Sequence, residues 1–429
     1  MSGGKAEFHM EEKTLKRNLI FNTVGNAVYY LSQWVITGWL VQKLSGEQGA
    51  YNAGLLSTAA TIANMFIGLA GFGMRNYQVS DLSGTVSDSA YVASRWATVG
   101  VSSLMALIYS LIMGYGGKGQ QFWCILFFLI YKMMEPFTDV WHGILQKAER
   151  MDIIGIAYAG RGFLSVAVFA ASMLLTRNVA ASLFFLTASS VAFCILFDLR
   201  KTAPFWQRSA VSFHSVAGLL LQCLPLAVHT FLNGVSTNLP KVYLEQTLGT
   251  EEMGIFNLVN SPVLILQVGI AYLFAPFITH FTHRLEEKDR KGFLHLAGIV
   301  CGIVLAAGLL GVLGCALFGK WGLNFLYHDE RVTAQAGLLY PMILCVVFSC
   351  FSVLLCMLNT ILRNMAGLLI SNVLELVVAQ VISVPMIRRY GMAGTSIATT
   401  VILAVQCVCL VSWGLYGLRK QTKEEVKEN

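Results

Sequence analysis

Lys132, Glu135, Asp139 and His142 lie inside an apolar stretch running from Phe122 to Ile144, with Gln146 just beyond it. Spacings of three and four place all five on one helix face, so the charges form a single stripe. Glu135 and Asp139, one helical turn apart, can crowd one site so that one of them holds a proton or helps bind Na⁺. The alternative is a closed network with Lys132 and His142 that only fixes helix packing. An ionisable group inside a bilayer is costly and normally faces a protein interior or a water-filled cavity, where it often serves transport. His142, near the mouth of the span, reads as a solvated histidine, and no partner residues stand at ligand spacing to make it a metal ligand. Pro136 breaks the regular hydrogen bonding and frees the carbonyl of Lys132. That makes it a bending point for alternating access, or a proline of the kind membrane helices tolerate.

The elements that must position this stripe are membrane helices. Hydrophobic residues make up 56% of the chain and charged residues 12%, with a mean hydropathy of +0.64, which excludes an ordinary soluble domain. Apolar runs of bilayer length predict about twelve spans, near 18–42, 51–73, 90–114, 121–145, 153–176, 178–198, 215–238, 251–277, 291–318, 334–360, 365–386 and 391–417. With the amino terminus inside, the loops on that side hold 19 Lys and Arg against 8 on the other, the latter including Lys241 in a predicted outer loop. Both termini are therefore predicted to be cytoplasmic. No cleavable signal peptide is expected, because the first span is too long for one. The net charge of +7 sits mostly in the inner loops, which fits topology and anionic lipid rather than nucleic acid. All ten cysteines fall in predicted spans without a paired CxxC motif, so they read as small hydrophobes rather than as disulfides or a zinc site.

A faint repeat divides the chain. Gln42-Lys43-Leu44, then Glu47, is echoed by Gln246-Thr247-Leu248, then Glu251, each at the junction of a first and second helix. A second echo pairs Gly143 to Gln146 with Thr360 to Arg363. Together they predict an all-α polytopic membrane protein of two six-helix lobes in the same orientation, 1–198 and 215–418. Residues 199–214, with Trp206 and Phe213, suit an amphipathic linker on the inner leaflet, and 419–429 form a cytoplasmic tail.

The run Gly71-Phe-Gly-Met-Arg75-Asn-Tyr-Gln-Val-Ser-Asp81, then Glu135-Pro136, Asp139, Gly143-Ile-Leu-Gln146, Arg150-Met-Asp-Ile-Ile-Gly155 and Arg161, resembles polysaccharide flippases of the Wzx type. Pro240-Lys241, Leu248-Gly249, Met253-Gly-Ile-Phe256, Phe318-Gly319, Leu326-Tyr327 and Tyr390-Gly-Met-Ala-Gly394 extend the likeness over nearly the whole chain. The resemblance implies the multidrug/oligosaccharidyl-lipid/polysaccharide (MOP) exporter fold, with two lobes forming a V around a central cavity. It also implies movement of undecaprenyl-diphosphate-linked oligosaccharide across the cytoplasmic membrane of a bacterium, and polysaccharide polymerase and glycosyltransferases as working partners.

A carrier of such a cargo needs cations for the diphosphate and hydrogen-bonding groups for sugars. Arg75, Arg95, Lys132 and Arg161 are the candidate cations, because arginine forks bind two oxygens at once and lysine supplies a point charge. Each can equally pair with Glu135, Asp139 or a helix end. Asn22 and Asn26 in the first span and Asn233 in the seventh are candidates for sugar hydroxyls, although such amides also join neighbouring helices. Glu135 and Asp139 are the candidates for ion coupling, to H⁺ or Na⁺, and no other cofactor is called for. Glu375 is a weaker candidate, having no cation within a turn. Short predicted outer loops, the longest near 239–250 and 319–333, without a metal-binding carboxylate pair or a nucleophile motif, argue against an enzyme. A cation-exporting multidrug transporter of the same superfamily is the competing reading.

Overall fold

A computed structural model describes residues 3–81, 84–287, 289–362 and 364–428, and it is helical almost throughout. Twelve long helices follow one another. They are α1 (Gly3–Trp34, continued by a widened π turn at Val35–Leu40 and by Val41–Leu44), α2 (Gly49–Gly71), α3 (Asp88–Ile112), α4 (Gln120–Lys147), α5 (Met151–Thr176) and α6 (Val179–Phe193, continued by a π turn at Cys194–Leu199). The second six are α7 (Phe213–Leu248), α8 (Thr250–Glu286), α9 (Arg290–Tyr327), α10 (Leu339–Ile361), α11 (Met365–Tyr390) and α12 (Met392–Glu428). Among the described residues, nine helices are long and apolar enough to cross a membrane. The charged stripe keeps α4 out of that set although it runs 28 residues. The charged side chains of Lys5, Lys13, Lys16, Lys288, Arg363, Arg419, Lys420, Lys423 and Lys427, on which the inner-loop count partly rests, lie outside the described residues, as does Arg363 of the second repeat echo.

Local chemistry sets the helix starts. Ser87, Asn178, Asp289 and Asn364 each accept a backbone N–H from their own first turn, at the heads of α3, α6, α9 and α11. Both copies of the first repeat close a helix, Leu44 at the end of the first and Leu248 at the end of the seventh.

The longest of the short outer loops expected, near 239–250 and 319–333, are mostly helix in the structure. α7 runs on to Leu248 because Leu239, Val242 and Leu244 keep burying an apolar face past Pro240, and Gly249 alone makes the turn into α8. The φ of 111° there lies where a side chain is strained, which is why glycine holds the position. Likewise α9 extends to Tyr327, and a short helix at Glu330–Ala334 follows. The 199–214 segment is helical to Thr202 and again from Phe213, where α7 begins. Trp206 there packs edge-on against Trp141 at 5.0 Å, while Phe213 is exposed at the head of α7.

The chain forms two compact units, Met1–Phe231 and Leu232–Asn429, with the division falling inside α7. In the first unit α1 lies along α5, α2 packs on α3 and α4, and α6 packs on α4 and α5. At the α1/α5 crossing the backbones touch. A Cβ on Gly25 would stand 2.1 Å from the Gly155 carbonyl oxygen, and one on Gly155 would stand 2.0 Å from that of Phe21. Small residues allow such close approach between membrane helices, where dispersion contacts rather than the hydrophobic effect drive association. In the second unit α12 packs on α10 and α11, and α8 and α9 pack on α10.

Candidate functional site

Two polar ridges run along α4. Lys132, Glu135, Asp139 and Gln146 form one, and Thr138 with His142 forms the other, rotated around the same helix.

On the first ridge, Lys132 pairs with Glu135, which also accepts a hydrogen bond from Tyr29 of α1 at 2.7 Å. Gln33 of α1 donates to the Tyr131 hydroxyl at 2.6 Å, and that hydroxyl lies 3.2 Å from Ser165 of α5. Further along, Arg75 donates to the Asp139 carboxylate at 2.8 Å and to its backbone carbonyl at 2.5 Å, and its other donors reach Gln146 at 2.7 and 3.2 Å. Arg75 is placed by the short helix Met74–Ser80 that follows the left-handed Phe72-Gly73 turn, an irregular backbone the sequence motif needs. Arg95 of α3 approaches Asp139 from the other side at 3.7 Å. Two arginines therefore face one aspartate, leaving this group with an excess positive charge. Side-chain exposures of 24% for Arg75 and 28% for Asp139, against 1% for Arg95, make Arg75 the cation a ligand can reach. Arg95 instead donates to the Ala70 and Gly71 carbonyls at 2.8 and 2.6 Å, closing the end of α2.

The second ridge is buried. Arg161 of α5 donates to Asp198 at 2.5 Å and to Thr138 at 2.9 Å, and His142 Nε2 lies 3.1 Å from the other carboxylate oxygen of Asp198. His142, Arg161 and Asp198 are each at most 2% exposed. His142 is thus not the solvated residue its place near the helix end suggested. The Tyr158 ring packs edge-on against it at 5.0 Å, and Asp198 supplies its partner. Sequence reasoning did not single out Asp198, which closes the predicted span 178–198. A signal was there: Ser190, Cys194, Asp198 and Thr202 are all buried at a strict spacing of four. That is wider than the 3.6 of an α-helix, and the π turn at Cys194–Leu199 produces it.

Asn26 donates to the Asn22 carbonyl oxygen at 2.8 Å and to its side chain at 3.1 Å, so these two amides serve each other within α1. Asn233 belongs to the second unit, where it reaches Glu375 at 3.5 Å. Gln406 of α12 donates to Glu375 and to Asn372 at 2.9 Å each, and Ser352 of α10 donates to Gln406. Glu375 is fully buried, and its second carboxylate oxygen has no hydrogen-bond partner among the described residues. Glu135, Asp139 and Asp198 each have a cation, whereas Glu375 accepts from the Asn233 and Gln406 amides on one oxygen. Lys241, expected in an outer loop, stands on α7 in the wall of a cavity of about 310 Å³. The described residues hold no cluster of metal-ligating side chains, and all ten cysteines are free.

With this arrangement in hand, known proteins place the chain. A family model described as "Polysaccharide biosynthesis protein" matches residues 15–282. The capsular polysaccharide biosynthesis protein CapF of Staphylococcus aureus is 23% identical over 317 residues, covering 71% of this chain and 77% of that protein. Among solved structures, a MOP-superfamily transporter from Pyrococcus furiosus superposes with a TM-score of 0.59 at 16% identity, over 95% of both chains. A mutant of the Vibrio cholerae MATE transporter VcmN gives 0.65 at 13% identity, over 95% of this chain and 98% of that one. At these identities the likeness to solved structures is one of fold.

Proposed function

Because this chain belongs to the polysaccharide biosynthesis protein family and has the fold of MOP-superfamily transporters, we propose that it flips an undecaprenyl-diphosphate-linked oligosaccharide from the inner to the outer leaflet of the bacterial cytoplasmic membrane. The observation that carries this reading is the arginine-rich group on α4. Arg75 is reachable, it already holds a carboxylate and an amide oxygen, and Arg95 leaves the group with a surplus cation. An oxyanion head group fits such a donor set, with the guanidinium fork binding two oxygens. The same surplus counts against a cationic drug as cargo. Arg95 and Arg161 act here as positioning residues, the first by holding the end of α2 and the second by fixing α4 against α6. Lys132 and Glu135, partly exposed and joined to Tyr29, extend the polar surface.

Ion coupling is assigned to Glu375 rather than to Glu135 or Asp139, since those two are ion-paired while Glu375 is buried and has no ion pair among the described residues. A bound H⁺ or Na⁺ would supply the charge its amide neighbours do not. Both termini are taken as cytoplasmic, and glycosyltransferases and a polysaccharide polymerase as working partners upstream and downstream.

The test is transfer of a fluorescent polyprenyl-diphosphate oligosaccharide in proteoliposomes under an imposed proton or Na⁺ gradient. The intact protein should move it, Arg75→Ala should reduce the rate by at least tenfold, and Glu375→Gln should lose the response to the gradient. Failure of the intact protein to move any such lipid would overturn the reading.

A further inference from the structure

Past its midpoint α7 presents Asn233, Thr237 and Lys241 at a spacing of four, one above another on a single face. That face lines the cavity of about 310 Å³, which lies wholly within the second unit and has Asn260, Ser396 and Thr399 on its other walls. Amides and hydroxyls make this lining suited to sugar hydroxyls. Its one ammonium differs from the cations of the first unit. Lys132 has Glu135, Arg75 has Asp139 and Arg161 has Asp198, whereas no carboxylate stands within ion-pair distance of Lys241 among the described residues. Glu245, one turn along the same helix, is buried and accepts a hydrogen bond from Thr250 instead. An uncompensated cation beside a cavity within the membrane span is costly unless an anion visits it.

We propose that this cavity is a second cargo subsite, in which Lys241 receives the carboxylate of an acidic sugar in the glycan. The inference rests on the flippase reading. The competing source of the same oxyanion chemistry is the carrier's diphosphate. A single mobile ammonium suits one carboxylate, while a diphosphate is better matched by forked guanidinium groups such as Arg75. The volume stands at the small end of the range of about 300–1,000 Å³ typical of small-ligand sites, enough for a terminal sugar and its substituents rather than a long glycan.

The experiment uses two polyprenyl-diphosphate disaccharides that differ only in the outer sugar, glucose or glucuronate, with the full-length protein and its Lys241→Met and Lys241→Arg variants. In proteoliposomes the intact protein should favour the glucuronate lipid by about tenfold. Lys241→Met should lose that preference while moving the glucose lipid at the intact rate, and Lys241→Arg should restore it. Equal loss for both lipids in Lys241→Met would place the diphosphate at Lys241, and an unchanged preference would remove Lys241 from recognition. Either result overturns the proposal. In parallel, soluble glucuronate disaccharide is titrated against the purified proteins. Saturable binding that Lys241→Met abolishes supports the subsite even if neither lipid is flipped, in which case only the flippase reading fails. Absence of such binding together with absence of preference sinks the subsite alone.

Discussion

Replacing Arg161 by alanine should destabilise the first unit before it informs on cargo. Arg161 and Asp198 are 2% and 1% exposed, 2.5 Å apart, with Thr138 on the remaining guanidinium arm and His142 on the remaining carboxylate oxygen. Arg161→Ala leaves Asp198 charged and buried with only a histidine nearby, and it also removes the guanidinium packed 5.8 Å from the Phe193 ring. Breaking such a pair from one side costs about 3–5 kcal/mol. At about 2–4 °C per kcal/mol for a unit of this size, the melting temperature should fall by about 6–20 °C. Removing both charges together, as in Arg161→Met with Asp198→Leu, takes the partner from His142 Nε2, for about 1–3 kcal/mol. The double variant should therefore be more stable than either single variant. Thermal unfolding of detergent-solubilised protein, followed by size-exclusion fluorescence, measures Arg161→Ala and the four corners of this cycle: the intact protein, Arg161→Met, Asp198→Leu and the double variant. An Arg161→Ala protein melting within about 2 °C of the intact one would refute the reasoning. So would a double variant no better than the worse single. If the double variant folds, it should also flip lipid, because the pair acts on helix packing.

Gly155→Ala should force α1 and α5 apart, since its Cβ would meet the Phe21 carbonyl oxygen at 2.0 Å, and a loss of about 1–3 kcal/mol is expected in the same thermal assay. Gly249→Ala should cost about 1–3 kcal/mol through backbone strain at φ 111°, whereas alanine at Gly218, where an added Cβ meets nothing, should not. The Asp289 carboxyl, outside the spans, is held below the usual range first by the Gly292 backbone N–H and then by Arg284. A depressed value means that its capping contribution is complete above the unfolded value of about 3.9 and is lost as pH falls through the lower folded one. Hydrogen exchange in the first turn of α9, corrected for intrinsic rate, should therefore quicken only below about pH 4, and quickening near pH 6 would contradict the cap.

Helix number and order were legible because most spans, nine among the described residues, are apolar runs of bilayer length, and hydropathy reads length directly. Helix ends were less so. Lys241, Glu245 and Gln246 look like a polar loop, yet Lys241 faces a cavity and Glu245 is buried, so polarity here marked an interior rather than an exit from the membrane. The stripe on α4 was legible from spacing, but its partners were not. Asp198 lies 37 residues from Arg161 and comes into reach only through the packing of three helices and a π turn. Glu375 was ranked low for want of a cation within a turn. Its neighbours are instead amides 31 and 142 residues away, which no local rule can supply.

The sign of the exchange at Arg75 also bears on where an ion can drive the cycle. An anionic head group reaching Arg75 competes with Asp139, its counter-ion at 2.8 Å. A proton on Asp139 would release Arg75 for the cargo, and by linkage the cargo would favour that proton in return. Proton and cargo would then bind together and travel in the same direction. Outward movement of cargo driven by inward ion flow requires the opposite, with ion and cargo occupying the protein in alternate steps. Local competition at Asp139 therefore gives cargo selection by charge but not coupling. Glu375 has amides on one carboxylate oxygen and nothing described on the other, so no resident cation has to leave when an ion arrives. Its occupancy can differ between conformations without a cargo anion taking part, which is what a cargo-free return step requires.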